Sequence, residues 1–65
     1  MFIVYTEIHK NDGFERWFYG QYEDENRANE VAISLGHNPS EGIYHCVCDA
    51  SHAKAFRIQN LPKEV

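Results

Sequence analysis

The stretch from Phe14 to Gly36 constrains the fold of this chain of 65 residues more than any other part of it. Its first half, Phe14–Tyr22, is dense in aromatic residues, which favour β-strands. Its second half begins at Asp24, whose carboxylate can cap a helix, and ends at Gly36, the residue type that most often follows a helix. The stretch therefore predicts a strand that leads directly into a short helix.

The predicted helix, from the Asp24 cap to Leu35, has one apolar stripe. Its apolar residues are spaced three and four apart, as a single helix face requires. They are Ala28, Val31, Ala32 and Leu35. Ile33 lies far round from this stripe. We expect it to tuck under the loop Asn38–Ser40, and the alternative is that it is an exposed contact residue. A helix with one apolar stripe covers one face of a sheet.

Two further strands follow from their β-branched and aromatic residues. Met1–Ile8 is apolar on both faces over most of its length, which is typical of a strand in the middle of a sheet. Ile43–Cys48 is the third strand. Asp12 and Gly13 predict the turn between the first two strands, and Gly20 predicts a bulge in the second.

These elements predict the α+β fold class. The expected order is ββαβα, with one α-helix packed on one face of a three-stranded antiparallel sheet and a short helical turn at His52–Phe56. Strand order 2-1-3 makes every neighbour antiparallel and places the most apolar strand in the centre. We expect one domain over residues 1–65, with residues 60–65 as a flexible tail.

Side chains alternate across a strand, so the sheet has two faces, and one helix can cover only one of them. We expect the helix to cover the face with Phe14, Phe18, Cys46 and Cys48, because cysteines are usually buried. The other face then carries the candidate binding residues Tyr5, Trp17, Tyr19 and His45. Exposed apolar patches on small domains are usually interaction sites, and Tyr and Trp suit them. The alternative is that Ser51–Ile58 folds over this face.

Cys46, Cys48 and His52 are the candidates for a metal site, because zinc binds thiolate and imidazole. The two cysteines share a strand face, but zinc sites usually hold paired cysteines on a tight turn, and the chain has no second pair. On an extended strand the two Cβ atoms also lie too far apart for an unstrained disulfide. We expect no metal and no other cofactor, and metal binding through this cluster is kept as an alternative function.

No residue of the chain is a convincing candidate for catalysis. A Cys–His nucleophile needs a setting that stabilises the thiolate, an oxyanion hole and a cleft, and the sequence marks none of these. We therefore predict that the protein is not an enzyme. The expected function is that of a small protein-binding module that acts through the aromatic sheet face.

Charge and hydropathy restrict the partners. A formal charge of −4 argues against nucleic acid and against an anionic membrane surface. Trp17 and Tyr19 can in principle stack on single-stranded bases, but the basic residues are scattered along the chain. No apolar run approaches the roughly 20 residues that span a bilayer, and the first residues lack the basic region of a signal peptide. We expect a cytoplasmic protein whose partner is another protein or a second copy of the chain.

The pattern W-F-x-G-x-Y at Trp17–Tyr22, followed by A-x-x-x-A-x-x-L-G at Ala28–Gly36, resembles small uncharacterised proteins of bacteria and their phages. The closing pattern A-K-x-x-x-I-x-N-L-P at Ala53–Pro62 is similar to theirs as well. The resemblance implies a compact helix-on-sheet domain and transfers no catalytic residue. Together with the acidic run Glu23–Glu25, it implies a further alternative, a phage-type acidic inhibitor or nucleic-acid-related protein that acts by binding.

Overall fold

The computed structural model describes residues 1–63 of the chain. The strands form one antiparallel sheet in the order β2-β1-β3, and one α-helix packs on it. The elements are β1 (Phe2–Lys10), β2 (Gly13–Tyr22), α1 (Glu25–Leu35) and β3 (Ile43–Asp49), with short 3-10 helices at Pro39–Glu41 and Ala50–His52. The predicted α+β class and strand order are confirmed.

The hairpin of β1 and β2 is regular except at one place. Val4 lies opposite Gly20, and Tyr5 lies opposite Phe18. Tyr19 is therefore the extra residue of a β-bulge beside Gly20, as the sequence predicts. The bulge changes which side chains of β2 share a face, because every residue beyond it is shifted by one position.

Both ends of α1 have the caps that the sequence predicts. The Asp24 carboxylate accepts a hydrogen bond of 3.2 Å from the backbone N–H of Asn26. At the other end Gly36 has a φ of 73°, which glycine adopts without strain, and its N–H donates to the Ala32 carbonyl. Local chemistry alone therefore accounts for where this helix begins and ends.

Ile33 does not tuck under the following loop, and that expectation is wrong. Its side chain is 78% exposed. The reason is that the loop pairs with the sheet instead of turning back over the helix. The Asn38 N–H donates to the Ile43 carbonyl at 2.7 Å, and the Ile43 N–H donates to the Asn38 carbonyl at 3.0 Å.

Both faces of β1 are buried, each beneath a different element. One face, which we call the helix face, is covered by α1 through Ala28 and Ala32. Its β1 side chains are those of Val4 and of the alternate residues Phe2, Thr6 and Ile8. The opposite face, which we call the segment face, holds Ile3, Tyr5, Glu7 and His9. Residues 50–63, the C-terminal segment, cover it, and their buried residues Ala53 and Ile58 belong to the same core cluster as Ile3 and Tyr5.

The assignment of β2 and β3 side chains to the two faces was wrong. Tyr5 lies opposite Phe18 on one side and Cys46 on the other, and Ile3 lies opposite Cys48. Directly opposed residues of antiparallel strands share a face, so these side chains lie on the segment face and not beneath the helix. Phe14, opposite His9, follows the same rule.

The helix face instead receives side chains that we expected on the open face. Thr6 lies opposite Trp17 in β2 and His45 in β3. The physical reason is the register of the strands. From Tyr5 onward, each odd-numbered residue of β1 lies opposite an even-numbered residue of β2 and of β3, and these residues share a face. Ser51–Ile58 does fold over the sheet, as the alternative above has it, but it covers the face of Tyr5 and Cys48 and not that of Trp17 and His45.

The end of the C-terminal segment is attached to the sheet. The Gln59 N–H donates to the Arg16 carbonyl at 2.8 Å, and the Gln59 carbonyl accepts from the Phe18 N–H at 2.9 Å. Leu61, within the segment that we expected to be a tail, packs against the segment-face core. The last two residues of that expected tail, 64 and 65, lie outside the described residues.

The C-terminal segment is expected to contribute to stability as a core element. Replacing Ile58, which is 6% exposed, with alanine removes buried apolar surface and leaves a cavity. We expect Ile58→Ala to lower the free energy of unfolding by about 2–4 kcal/mol. Urea unfolding followed by circular dichroism measures this loss.

The matched control is the same substitution at an exposed isoleucine. We expect Ile33→Ala to change the free energy of unfolding by less than about 0.5 kcal/mol. Equal losses for the two variants would contradict the burial of Ile58 beneath the segment face.

Candidate functional site

The four predicted binding residues do not form one surface. Tyr5 is only 6% exposed and belongs to the segment-face core. Burial, with a smaller contribution from Cys46, raises the pKa of Tyr5 to about 12. The ring meets Phe56 edge to face, with centroids 6.3 Å apart. Tyr5 therefore has a structural role and is not available to a partner.

His45 is half-buried and is engaged by the chain that follows α1. Its Nδ1 atom lies 2.7 Å from the Gly36 carbonyl oxygen, within hydrogen-bond distance. Its backbone N–H donates to Nδ1 of His37 at 3.2 Å. These contacts, together with the Asn38–Ile43 pairing, occupy part of the outer edge of β3. His45 therefore links residues 36 and 37, which follow α1, to β3 through hydrogen bonds, a role that its sequence position did not suggest.

Trp17 and Tyr19 remain exposed, and we refer to them as the β2 aromatics. Trp17 is 39% exposed and Tyr19 is 50% exposed. The core beneath α1 is built around Val4 and includes Phe2 and Tyr22, at one end of the sheet, and Trp17 is not part of it. The indole N–H of Trp17 donates a hydrogen bond of 3.1 Å to Glu15 Oε1.

A groove on the segment side of β2 was not anticipated from the sequence. Its volume is about 610 Å³, and it lies between β2 and the C-terminal segment. Its lining residues are Phe14, Glu15, Arg16, Ala55, Phe56, Arg57 and Gln59. Phe14 is 54% exposed, with its ring stacked on His9 and beneath the Arg16 guanidinium at 4.6 Å. A second, shallower cavity of about 400 Å³ lies between α1 and β3.

The sequence does contain one sign of this groove. Residues 50–63 include Lys54, Arg57 and Lys63 and no acidic residue, in a chain whose net charge is −4. From the sequence alone these basic residues are only scattered along the chain, because the fold decides which of them become neighbours. The fold brings part of this basic segment alongside β2.

Arg16 joins the hairpin to the C-terminal segment. Its Nε donates to Glu7 Oε1 at 2.8 Å, and another guanidinium nitrogen donates to the Phe56 carbonyl at 3.0 Å. His9 Nε2 lies 2.7 Å from the second carboxylate oxygen of Glu7. Hydrogen bonds from His9 and Arg16 hold the pKa of Glu7 below its ordinary value of 4.5. The same carboxylate raises the pKa of Arg16.

The two cysteines are free thiols on the segment face. Cys48 is buried and Cys46 is half-buried, and burial raises the pKa of both thiols, which disfavours the thiolate. His52 is exposed, with its ring stacked on Phe56. Within residues 1–63 no group of three or more His, Cys, Asp or Glu side chains is arranged to hold a metal ion.

Comparison with known proteins adds no relative: no family model, curated protein or solved structure matches this chain. None of the helices within residues 1–63 has the length and apolar character that crossing a membrane requires.

The Glu7 carboxylate is expected to make stability depend on pH. Its pKa is lower in the folded chain than in the unfolded chain, so its contribution is complete above about pH 4.5 and is lost as the pH falls through the folded pKa. We expect Glu7→Gln to lower the free energy of unfolding at pH 7 by about 1–2 kcal/mol and to flatten its decline in acid. Urea unfolding between pH 7 and about pH 3 measures both effects.

Glu30→Gln is the matched control, because Glu30 is exposed and makes no salt bridge with any other residue in the range 1–63. It should leave the stability at pH 7 nearly unchanged. A Glu7→Gln variant that declines in acid as steeply as the wild type would show that Glu7 is not a source of the acid sensitivity.

Proposed function

We propose that this protein is a small protein-binding module without catalytic activity, which acts in the cytoplasm and contacts its partner through Trp17 and Tyr19. The observation that carries the proposal is the exposure of the β2 aromatics. Other aromatic residues of the same sheet, Tyr5 and Phe18, pack in the segment-face core, whereas Trp17 and Tyr19 expose 39% and 50% of their surface. Aromatic side chains of these two types are enriched where proteins meet.

The setting of Trp17 supports a role in binding. Its indole N–H is already bonded to Glu15, and this hydrogen bond restrains the ring before a partner covers it. Ordering of flexible side chains opposes association, and a ring held in place avoids part of that cost. Lys10 Nζ in turn donates to Glu15 Oε2 at 2.9 Å, so Trp17, Glu15 and Lys10 form a chain of hydrogen bonds along the hairpin.

The backbone beside Trp17 supports recognition by side chains and not by strand pairing. Gln59 already occupies the outward carbonyl of Arg16 and the outward N–H of Phe18. The bulge at Tyr19 further interrupts the edge, as bulges commonly do on edge strands. A partner that approaches β2 at this point therefore meets two aromatic rings and few unpaired backbone groups.

The chemistry of the chain supports the absence of catalysis. Burial raises the pKa of both thiols and of Tyr5, so none of these groups is prepared as a nucleophile or base at neutral pH. The net charge of −4 favours a protein partner over nucleic acid.

The double variant Trp17→Ser with Tyr19→Ser tests the proposal. We expect the wild-type chain to bind either a second copy or a protein of its native cell, and the variant to lose at least about tenfold in affinity, because both aromatic contacts are removed. Light scattering across a concentration series detects self-association. Cross-linking in native cells, followed by mass spectrometry and titration of the purified partner, detects a different protein.

The matched control is Ile33→Ser with Leu35→Ser, which removes exposed apolar surface from α1. This variant should keep the wild-type affinity. A β2 variant that binds as tightly as the wild type, or a helix variant that loses binding equally, would refute a specific role of the β2 aromatics.

A further inference from the structure

We propose that the groove between β2 and the C-terminal segment is a second binding site, which takes an extended acidic segment of a protein. The groove, of about 610 Å³, has Phe14 and Arg16 of β2 on one side and Phe56 and Arg57 of the C-terminal segment on the other. Phe14 and Arg16 belong to the segment face, whereas Trp17 lies on the helix face. This site therefore goes beyond the β2 aromatics and can be tested separately from them.

The charge at the groove favours an anionic occupant. Glu15 lines it, but its carboxylate is bonded to Lys10 Nζ at 2.9 Å. Arg16 is matched by Glu7 at 2.8 Å. Arg57 is exposed and makes no salt bridge to any described side chain, so its guanidinium is the uncompensated charge of the groove. Guanidinium groups bind carboxylates through paired hydrogen bonds.

The backbone at Arg57 has a left-handed conformation, which is unusual for a residue other than glycine. Its φ is 57°, in the left-handed region, which costs a non-glycine residue about 1 kcal/mol. Glycine would adopt this turn freely, and the exposed arginine side chain contributes little burial in return. The turn itself is closed by the Arg57 N–H, which donates to the Lys54 carbonyl at 3.0 Å. Arginine at this position brings a cation to the groove.

The edge of β2 beside the groove offers unpaired backbone groups. Gln59 occupies the Arg16 carbonyl, which shows that Arg16 and, by alternation, Phe14 direct their backbone groups outward. The Arg16 N–H and both backbone groups of Phe14 have no outward backbone partner among residues 1–63. An extended peptide can continue the pairing that Gln59 begins, as in recognition by strand addition.

These features together identify the occupant as protein. An extended segment with alternating acidic and apolar residues can pair with the β2 edge, place carboxylates near Arg57, and cover the exposed ring of Phe14 and the half-buried ring of Phe56. A nucleic acid supplies anionic charge but cannot form strand pairing with the Phe14 and Arg16 backbone. The combination of an open strand edge with an uncompensated guanidinium therefore selects an acidic peptide.

The test is a nuclear magnetic resonance titration of the full ¹⁵N-labelled chain with short blocked peptides. The first peptide alternates valine and glutamate, and its matched controls alternate valine with lysine and valine with glutamine. A short oligothymidylate is the fourth probe. We expect only the glutamate peptide to bind, with the largest amide shifts at Phe14, Arg16 and Arg57.

Substitutions at Arg57 separate charge from folding. We expect Arg57→Gln to weaken binding of the glutamate peptide about tenfold, the loss of one charge-assisted contact. Arg57→Gly removes the same charge with a residue that adopts this φ freely, and it should weaken binding to the same extent. Arg27→Gln, on α1, removes an arginine far from the groove and should bind as the wild type does. Trp17→Ser with Tyr19→Ser should also bind this peptide normally, whether or not the β2 aromatics have the function proposed for them.

Four results of the peptide titrations would overturn the proposal, and a fifth comes from the oligothymidylate. They are the absence of shifts at Phe14 and Arg16 up to about 5 mM peptide, equal binding of the lysine or glutamine peptide, an unchanged affinity for Arg57→Gln, and an equal loss for Arg27→Gln. Binding of the oligothymidylate in the groove with greater affinity than the glutamate peptide would also overturn it, in favour of a phosphate ligand.

Discussion

The burial of β1 on both faces is the constraint on which the rest of this structure depends. Ile3 and Val4 are adjacent in sequence, point to opposite faces and are both 0% exposed. A sheet with such a central strand needs a cover on each side. Within residues 1–63, an α-helix of 11 residues covers the first side, and residues 50–63 cover the second. With so few residues, neither cover extends over the whole sheet, and the surfaces left open are the candidates for function.

Arg16 connects the second cover to the sheet. Its guanidinium bonds to Glu7 and to the Phe56 carbonyl. Gln59 pairs with the β2 backbone on either side of Trp17, through the Arg16 carbonyl and the Phe18 N–H. Because the C-terminal segment is held along β2 by these contacts, it covers the buried Cys48 and Tyr5 but leaves a groove beside Phe14. The same strand thus carries the exposed Trp17 on one face and the groove on the other.

Elements defined by local chemistry were predictable from the sequence. The Asp24 cap, the stop at Gly36 and the bulge beside Gly20 each depend on a few neighbouring residues and are confirmed. Strand order was predictable too, since only the middle position suits a strand that is apolar on both faces. The candidate site was predicted less well. Trp17 and Tyr19 are exposed as expected, whereas Tyr5 is core and His45 fastens a loop.

By itself the sequence determined which segments are helix and strand, and that β1 is central, because capping groups, glycines and hydrophobic periodicity act over a few residues. Only the tertiary structure decided which side chains share a face. That depends on register, and a shift of one residue exchanges the faces, so Phe18 and Cys46 lie opposite Tyr5 and not beneath α1. It also decided that residues 50–63 cover the second face, since hydrophobic burial has no preferred direction and shows its partners only when the chain is folded.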